Sequence, residues 1–156
     1  MKLLELTQGQ YAKLDDQDYD WAQQWSWSAA WIDGRFYAMR SERHPVPKKY
    51  YLHRELLGLK LPTVFCDHAN HDTLDDRRCN LRPCSPSHSS CNRRKTSLNK
   101  SGYKGVCWNK AIQKWVVQIA LYGKKRYLGS YHDPAVAHQA YCKAAATLHQ
   151  EYACTA

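Results

Sequence analysis

Apolar and polar positions fall into separable blocks along the chain. Leu3, Leu4 and Leu6 predict a first strand that ends at Gln8-Gly9. Asp15-Asp16 stands where a short helix from Asp18 to Gln24 would begin, with Tyr19 and Trp21 among its apolar residues. Trp25, Trp27, Ala29 and Trp31 then alternate with polar or smaller residues, and Arg35-Phe36-Tyr37-Ala38-Met39 follows Asp33-Gly34. Two strand-like runs around Asp-Gly predict a β-hairpin, because that dipeptide tolerates the positive φ angles a two-residue turn demands. His44-Pro45-Val46-Pro47 marks a loop. Tyr50 to Leu52 reads as a renewed strand and His53 to Leu57 as a helical turn.

The last third has a simpler pattern. Tyr103 to Trp108, Lys114 to Tyr122 and Arg126 to Tyr131 predict three strands, with a tight turn at Gly123. Asp133-Pro134 then opens a long helix, as N-cap and first helical residue. Ala137, Tyr141, Ala144 and Leu148 mark its apolar face. On the middle strand Trp115, Val117, Ile119 and Leu121 suit that helix, while Lys114, Val116, Gln118, Ala120 and Tyr122 form the other side. Lys104, Lys125 and Tyr127 are expected to join this open side. A free, basic sheet face of that kind fits a DNA major groove.

The charge distribution sharpens the picture. The 156 residues carry 23 basic and 14 acidic side chains, a formal charge of +9. Residues 1–60 hold nine basic against eight acidic (net +1), residues 61–100 seven against four (net +3), and residues 101–156 seven against two (net +5). This gradient predicts a polyanionic partner gripped by the later two-thirds. The chain has no apolar run of about 18 residues, as a membrane-spanning helix needs, and its N-terminus lacks a signal peptide's apolar core. An intracellular protein is expected, with its seven cysteines as reduced thiols; the odd number also argues against a closed disulfide framework.

Candidate chemistry concentrates between Val64 and Asn92. Asp67 is followed at once by His68, then by a polar loop, then by Asn80-Leu81-Arg82. Ser85-Pro86 starts a helix that carries His88, Ser89 and Asn92, with His88 and Asn92 on one face. A carboxylate such as Asp67 can hold a hard divalent cation, and an imidazole such as His68 can take a proton from water. An asparagine such as Asn80 can fix a loop, since its amide both donates and accepts. Adjacent residues of a strand point to opposite faces, so Asp67 and His68 converge only where a strand ends. Cys66, Cys79, Cys84 and Cys91 surround this stretch, but only Cys79 and Cys84 approach the spacing of a zinc knuckle. Reduced thiols in a small core are therefore preferred to a structural Zn²⁺ site. Beyond the helix, Arg93 and Arg94 are suited to neutralising phosphates.

These residues resemble the HNH nuclease family, the ββα-metal finger. The match is to Asp67-His68, then Asn80-Leu81-Arg82, then a polar helix. The resemblance implies one Mg²⁺ or Mn²⁺ ion with Asp67 as ligand, His68 as general base and Asn80 as the loop-fixing residue. The family's last motif position falls on Ser89, a departure, and His88 or Asn92 is the expected substitute ligand. Residues 101–153 resemble the AP2 DNA-binding domain, through Ser101-Gly102-Tyr103-Lys104-Gly105-Val106, the strand from Lys114 to Ile119, the run from Tyr127 to Tyr131 and the alanine-rich helix. That likeness implies Lys104, Lys114, Gln118, Lys125 and Tyr127 as DNA contacts. HNH followed by AP2 resembles homing endonucleases of phages and other mobile elements. The expected architecture is α+β, in three parts: an aromatic β-rich region (1–60), an HNH motif (61–97) and an AP2-like domain (98–156). The expected partner is double-stranded DNA inside a bacterial host, met by a monomer or weak dimer. The competing expectation, raised by Ser89, is a decayed nuclease that acts by DNA binding alone.

Overall fold

A computed structural model describes residues 1–43 and 45–155. His44, within the expected loop, lies outside the described residues. The fold is α+β, with four α-helices and ten strands in four small antiparallel sheets among the described residues. The three segments expected from sequence pack as two compact units, Met1–Cys84 and Ser85–Ala156. The expected boundary at residue 60 is not a packing boundary, because Leu81 lies in one core with Leu4, Leu14 and Leu52. The stretch 61–97 is itself divided, after Cys84. No helix among the described residues is long and apolar enough to cross a membrane.

The first unit starts with a hairpin, β1 (Lys2–Glu5) and β2 (Tyr11–Leu14). Helix α1 (Asp16–Ala22) follows. Its N-cap, Asp15, does not bond the helix with its side chain; the carboxylate accepts from the Arg78 backbone N–H at 2.8 Å instead. Strands β3 (Ser28–Ile32), β4 (Arg35–Glu42) and β5 (Lys48–Tyr51) form a three-stranded sheet. The β3–β4 turn is the expected one, with φ of 49° at Asp33 and 78° at Gly34. Helix α2 (Leu52–Leu56) leads to the last hairpin, β6 (Phe65–His68) and β7 (Leu81–Cys84). Arg54 ties the intervening loop to α2 by donating to the carbonyls of Leu59, Leu61 and Val64.

The second unit contains α3 (Pro86–Cys91), capped by Ser85 Oγ, which accepts from the His88 N–H. Its sheet, β8 (Val106–Asn109), β9 (Lys114–Leu121) and β10 (Lys124–Tyr131), has the order β10-β9-β8. Helix α4 (Pro134–Leu148) covers one face, and Asp133 caps it by accepting from the N–H groups of Ala135 and Val136. Val117, Ile119, Ala137, Tyr141 and Ala145 are the buried centre, with Trp115, Ala144 and Leu148 packed around them. Side-chain alternation along β9 and the helical spacing of α4 therefore meet as the pattern predicts. Val116 departs from it: it is buried on the expected open side, between Cys107 and Ser130 in register.

Candidate functional site

The loop between β6 and β7 is closed by Asn80. Its side-chain oxygen accepts from the Asn70 N–H at 2.9 Å, and its amide donates to the Asp75 carbonyl at 2.7 Å. Asn80 is buried, so these bonds are shielded from water and hold the loop ends together. Asp75 is gripped by the Arg77 guanidinium through both oxygens, at 2.7 and 2.6 Å, which holds its carboxyl below the usual range. Backbone bonds between Lys13 and the loop, Lys13 N to Leu74 O and Asp76 N to Lys13 O, press the following residue inward. That residue is Asp76, fully buried.

Asp76 is the partner of His68. The His68 Nε2 and Asp76 Oδ1 stand 3.0 Å apart in the interior of the first unit. Burial pushes the Asp76 carboxyl above its usual pKa, and the bond to His68 opposes that rise. A buried carboxylate is costly without a partner, and the His68 ring supplies the hydrogen bond that offsets part of that cost. His53, on α2, completes the group, with its ring edge-on to His68 and centroids 5.1 Å apart. Burial, then the neighbouring His68 and Arg54, push the His53 pKa down to about 3, so its ring is neutral. One ligand atom from each of His53, His68 and Asp76 lies within 4.8 Å of the others, close enough to hold a metal ion.

Asp67 goes elsewhere. It stands opposite Arg82 in the β6–β7 register, and the Arg82 guanidinium donates to its Oδ2. Thus the adjacent Asp67 and His68 take different partners, as alternation along a strand requires.

The other expected residues lie in the second unit. The His88 ring stacks on Tyr152 at 4.7 Å and 5°, and its Nε2 is 3.0 Å from the Tyr122 hydroxyl. Ser89 is half-buried on α3, and Asn92 is the buried C-cap of that helix. Arg93 and Arg94 are exposed beyond it. On the uncovered side of the sheet, Tyr127 stands opposite Gln118 and Lys125 opposite Ala120, all exposed. Lys114 is half-buried at the start of β9. Lys104 does not join this face as expected. Its ammonium donates to the carbonyls of Cys91 and Arg93, and burial lowers its pKa. It satisfies acceptors at the end of α3, which a helix leaves without internal partners.

No disulfide joins the cysteines among the described residues; Cys79 is exposed, whereas Cys84 is buried. Burial pushes the Cys66 thiol up to about 12, so it packs as a neutral group.

No known family's sequence model matches the chain. No solved structure matches it either. The chain is similar to "Protein 3.8" of Escherichia phage T7, with 31% identity over 81 residues. The aligned part is 52% of this chain and 55% of that protein, so the likeness spans about half of each.

Proposed function

We propose that this chain is a metal-dependent DNA endonuclease of the HNH kind, carried to double-stranded DNA by an AP2-like unit. The observation that supports it most is the buried His68–Asp76 pair at 3.0 Å. An imidazole that donates one N–H to a carboxylate has its tautomer fixed, and its other nitrogen takes up protons. Here Nε2 donates to Asp76 and Nδ1 receives the proton of the attacking water. The water adds in line to the scissile phosphorus as the P–O bond to the sugar oxygen on the far side breaks, and that oxygen takes a proton from solvent to become the hydroxyl. Asp76 then balances the imidazolium charge. By the HNH resemblance the products carry 5′-phosphate and 3′-hydroxyl ends. The similarity to a phage protein is in keeping with action inside a bacterial host.

The same resemblance implies Mg²⁺ or Mn²⁺. When bound, such an ion would supply polarisation of the phosphate and charge stabilisation at the leaving oxygen. Mg²⁺ asks for near-octahedral oxygen ligands. Asp67 and His88 do not fit that requirement as they stand: Asp67 is bonded to a guanidinium, and His88 Nε2 is 3.0 Å from a tyrosine hydroxyl while its ring stacks on a second tyrosine; Asn92 is the buried C-cap of α3. The proton transfer above therefore assigns roles to His68 and Asp76 and routes no step through the ion.

The exposed Gln118, Lys125 and Tyr127 support DNA recognition by the second unit. Phosphate contacts supply affinity through counterion release. Lys125→Ala is expected to weaken duplex binding and to flatten the slope of log affinity against log salt by about 0.9. An unchanged slope in a fluorescence-anisotropy titration removes Lys125 from the interface.

A second reading, binding without cleavage, is favoured by Ser89 and by the occupied His88 ring. Plasmid nicking with Mg²⁺ or Mn²⁺, comparing the native chain with His68→Ala, separates the two. Nicking that depends on His68 supports the enzyme, and binding without nicking supports the second reading.

A further inference from the structure

His53, His68 and Asp76 reach the interior of the first unit from three separate segments: α2, the end of β6, and the loop before β7. Their packing is not explained by hydrogen bonding alone. His53 Nδ1 and Asp76 Oδ2 have no hydrogen-bond partner among the described residues, although the two residues are only 7% and 0% exposed. Buried polar atoms are ordinarily paired, and each orphan calls for an explanation. Both of these can donate a lone pair. Neutral imidazole is the metal-binding form, and burial keeps His53 neutral.

We propose that His53, His68 and Asp76 bind one first-row transition ion of the Zn²⁺, Co²⁺ or Ni²⁺ class, and that an ion seated there takes His68 out of use as the base. Two imidazoles and one carboxylate make a nitrogen-rich donor set, which suits borderline ions and not Mg²⁺. Three protein ligands with one open position are a recurrent zinc arrangement. Ligands about 2.0–2.1 Å from a tetrahedral ion stand roughly 3.3 Å apart. His68 Nε2 and Asp76 Oδ1 stand near that spacing at 3.0 Å, and a ligand atom of His53 lies within 4.8 Å of the other two residues' ligand atoms. The aromatic rings of Tyr37 and Tyr51 wall the group, at 5.8 and 5.7 Å from the His53 ring. An apolar wall of this kind strengthens ion–ligand attraction by excluding water. The ion-binding half of the inference stands apart from the nuclease reading, and the inhibitory half rests on it.

The test uses the full metal-free chain without DNA. Co²⁺ is added and the visible absorption of four-coordinate cobalt is followed, then Zn²⁺ is added as competitor. The expected result is one equivalent of Co²⁺, displaced by one equivalent of Zn²⁺ and indifferent to excess Mg²⁺. His53→Gln and Asp76→Asn are each expected to weaken binding at least tenfold. Ring nitrogen shifts of His53 and His68 in the native chain report the site independently of whether either variant folds. Both are expected to move on Zn²⁺ addition. Unmoved shifts overturn the site. So do sulfur-to-cobalt charge-transfer bands that persist in both variants, because they place the ion on cysteines. Nicking in Mg²⁺ is then measured against added Zn²⁺, and its midpoint is expected to coincide with site filling. A chain that binds Zn²⁺ at these residues but never nicks keeps the site and discards the nuclease reading. A chain that nicks but leaves both histidines untouched by Zn²⁺ does the reverse.

Discussion

His68→Ala is expected to lower plasmid nicking by at least about a hundredfold, the scale on which a general base contributes, while leaving duplex affinity within twofold. The loss follows from geometry. In the proposed reaction His68 supplies the ring nitrogen that takes the proton, and the Asp76 carboxylate, 3.0 Å from its Nε2, balances the charge. Without the ring, Asp76 remains buried with no cation to face, so it is expected to take up a proton and become inert. Asp76→Asn keeps the shape of the pair and removes its charge. A smaller loss is therefore expected there than in His68→Ala. Single-turnover nicking rates and anisotropy binding curves on the same preparations check both statements. Equal nicking by native chain and His68→Ala assigns any cleavage to another group.

Gly105→Ala is expected to destabilise the second unit severely. Gly105 sits at φ of 75°, and an added Cβ would lie 2.1 Å from Tyr141 Cδ2. That carbon belongs to a ring 3% exposed on α4, packed against Val117 and Ile119. The ring cannot retreat without opening the core of the unit. The left-handed backbone costs about 1 kcal/mol for a residue with a Cβ, and forced overpacking adds about 1–3 kcal/mol. A loss of about 3 kcal/mol follows, a large share of what a small domain has. Gly102→Ala is the control. Its φ is 76°, but nothing lies within 4 Å of the added carbon, so only the backbone cost of about 1 kcal/mol applies. Chemical denaturation of the full chain, with duplex binding measured alongside, is expected to rank native, Gly102→Ala and Gly105→Ala in that order. Equal stability of the two variants contradicts the close approach of Gly105 to Tyr141.

Much of the fold was legible because local chemistry and packing agree there. Asp33-Gly34 takes the positive φ angles its hairpin needs, and Asp133-Pro134 starts α4. The alternation of Trp115, Val117 and Ile119 matches the helix face of Ala137, Tyr141 and Ala144. Strand β2 was not legible. It is four residues long, and its ends, Tyr11 and Leu14, show no pattern until β1 pairs with it.

The site was legible only in part. His68 stood out because it adjoins Asp67, yet the side chain that meets it is Asp76, eight residues on in a run of acids and arginines. Such a run reads as solvated. Arg77 takes Asp75 and Arg78 takes Asp18, and the bonds to Lys13 turn Asp76 inward. That sorting depends on β2 and α1, which are distant in sequence. His53 showed in the sequence only as the start of a helical turn; it is buried and is a neighbour of His68. Lys104 read as a contact on the open face because lysine alternation cannot foresee the carbonyls at the end of α3.

The central claim is that the His68 ring transfers a proton during strand cleavage. Its most direct test is chemical rescue. His68→Gly leaves a space of imidazole size, and small ligands occupy such cavities. Nicking by His68→Gly is measured as imidazole is added, with the native chain alongside. The account predicts that the variant is silent alone and that its rate rises with imidazole to a plateau, while the native rate stays constant. A rate that imidazole leaves flat, under conditions where the native chain cuts, would contradict it.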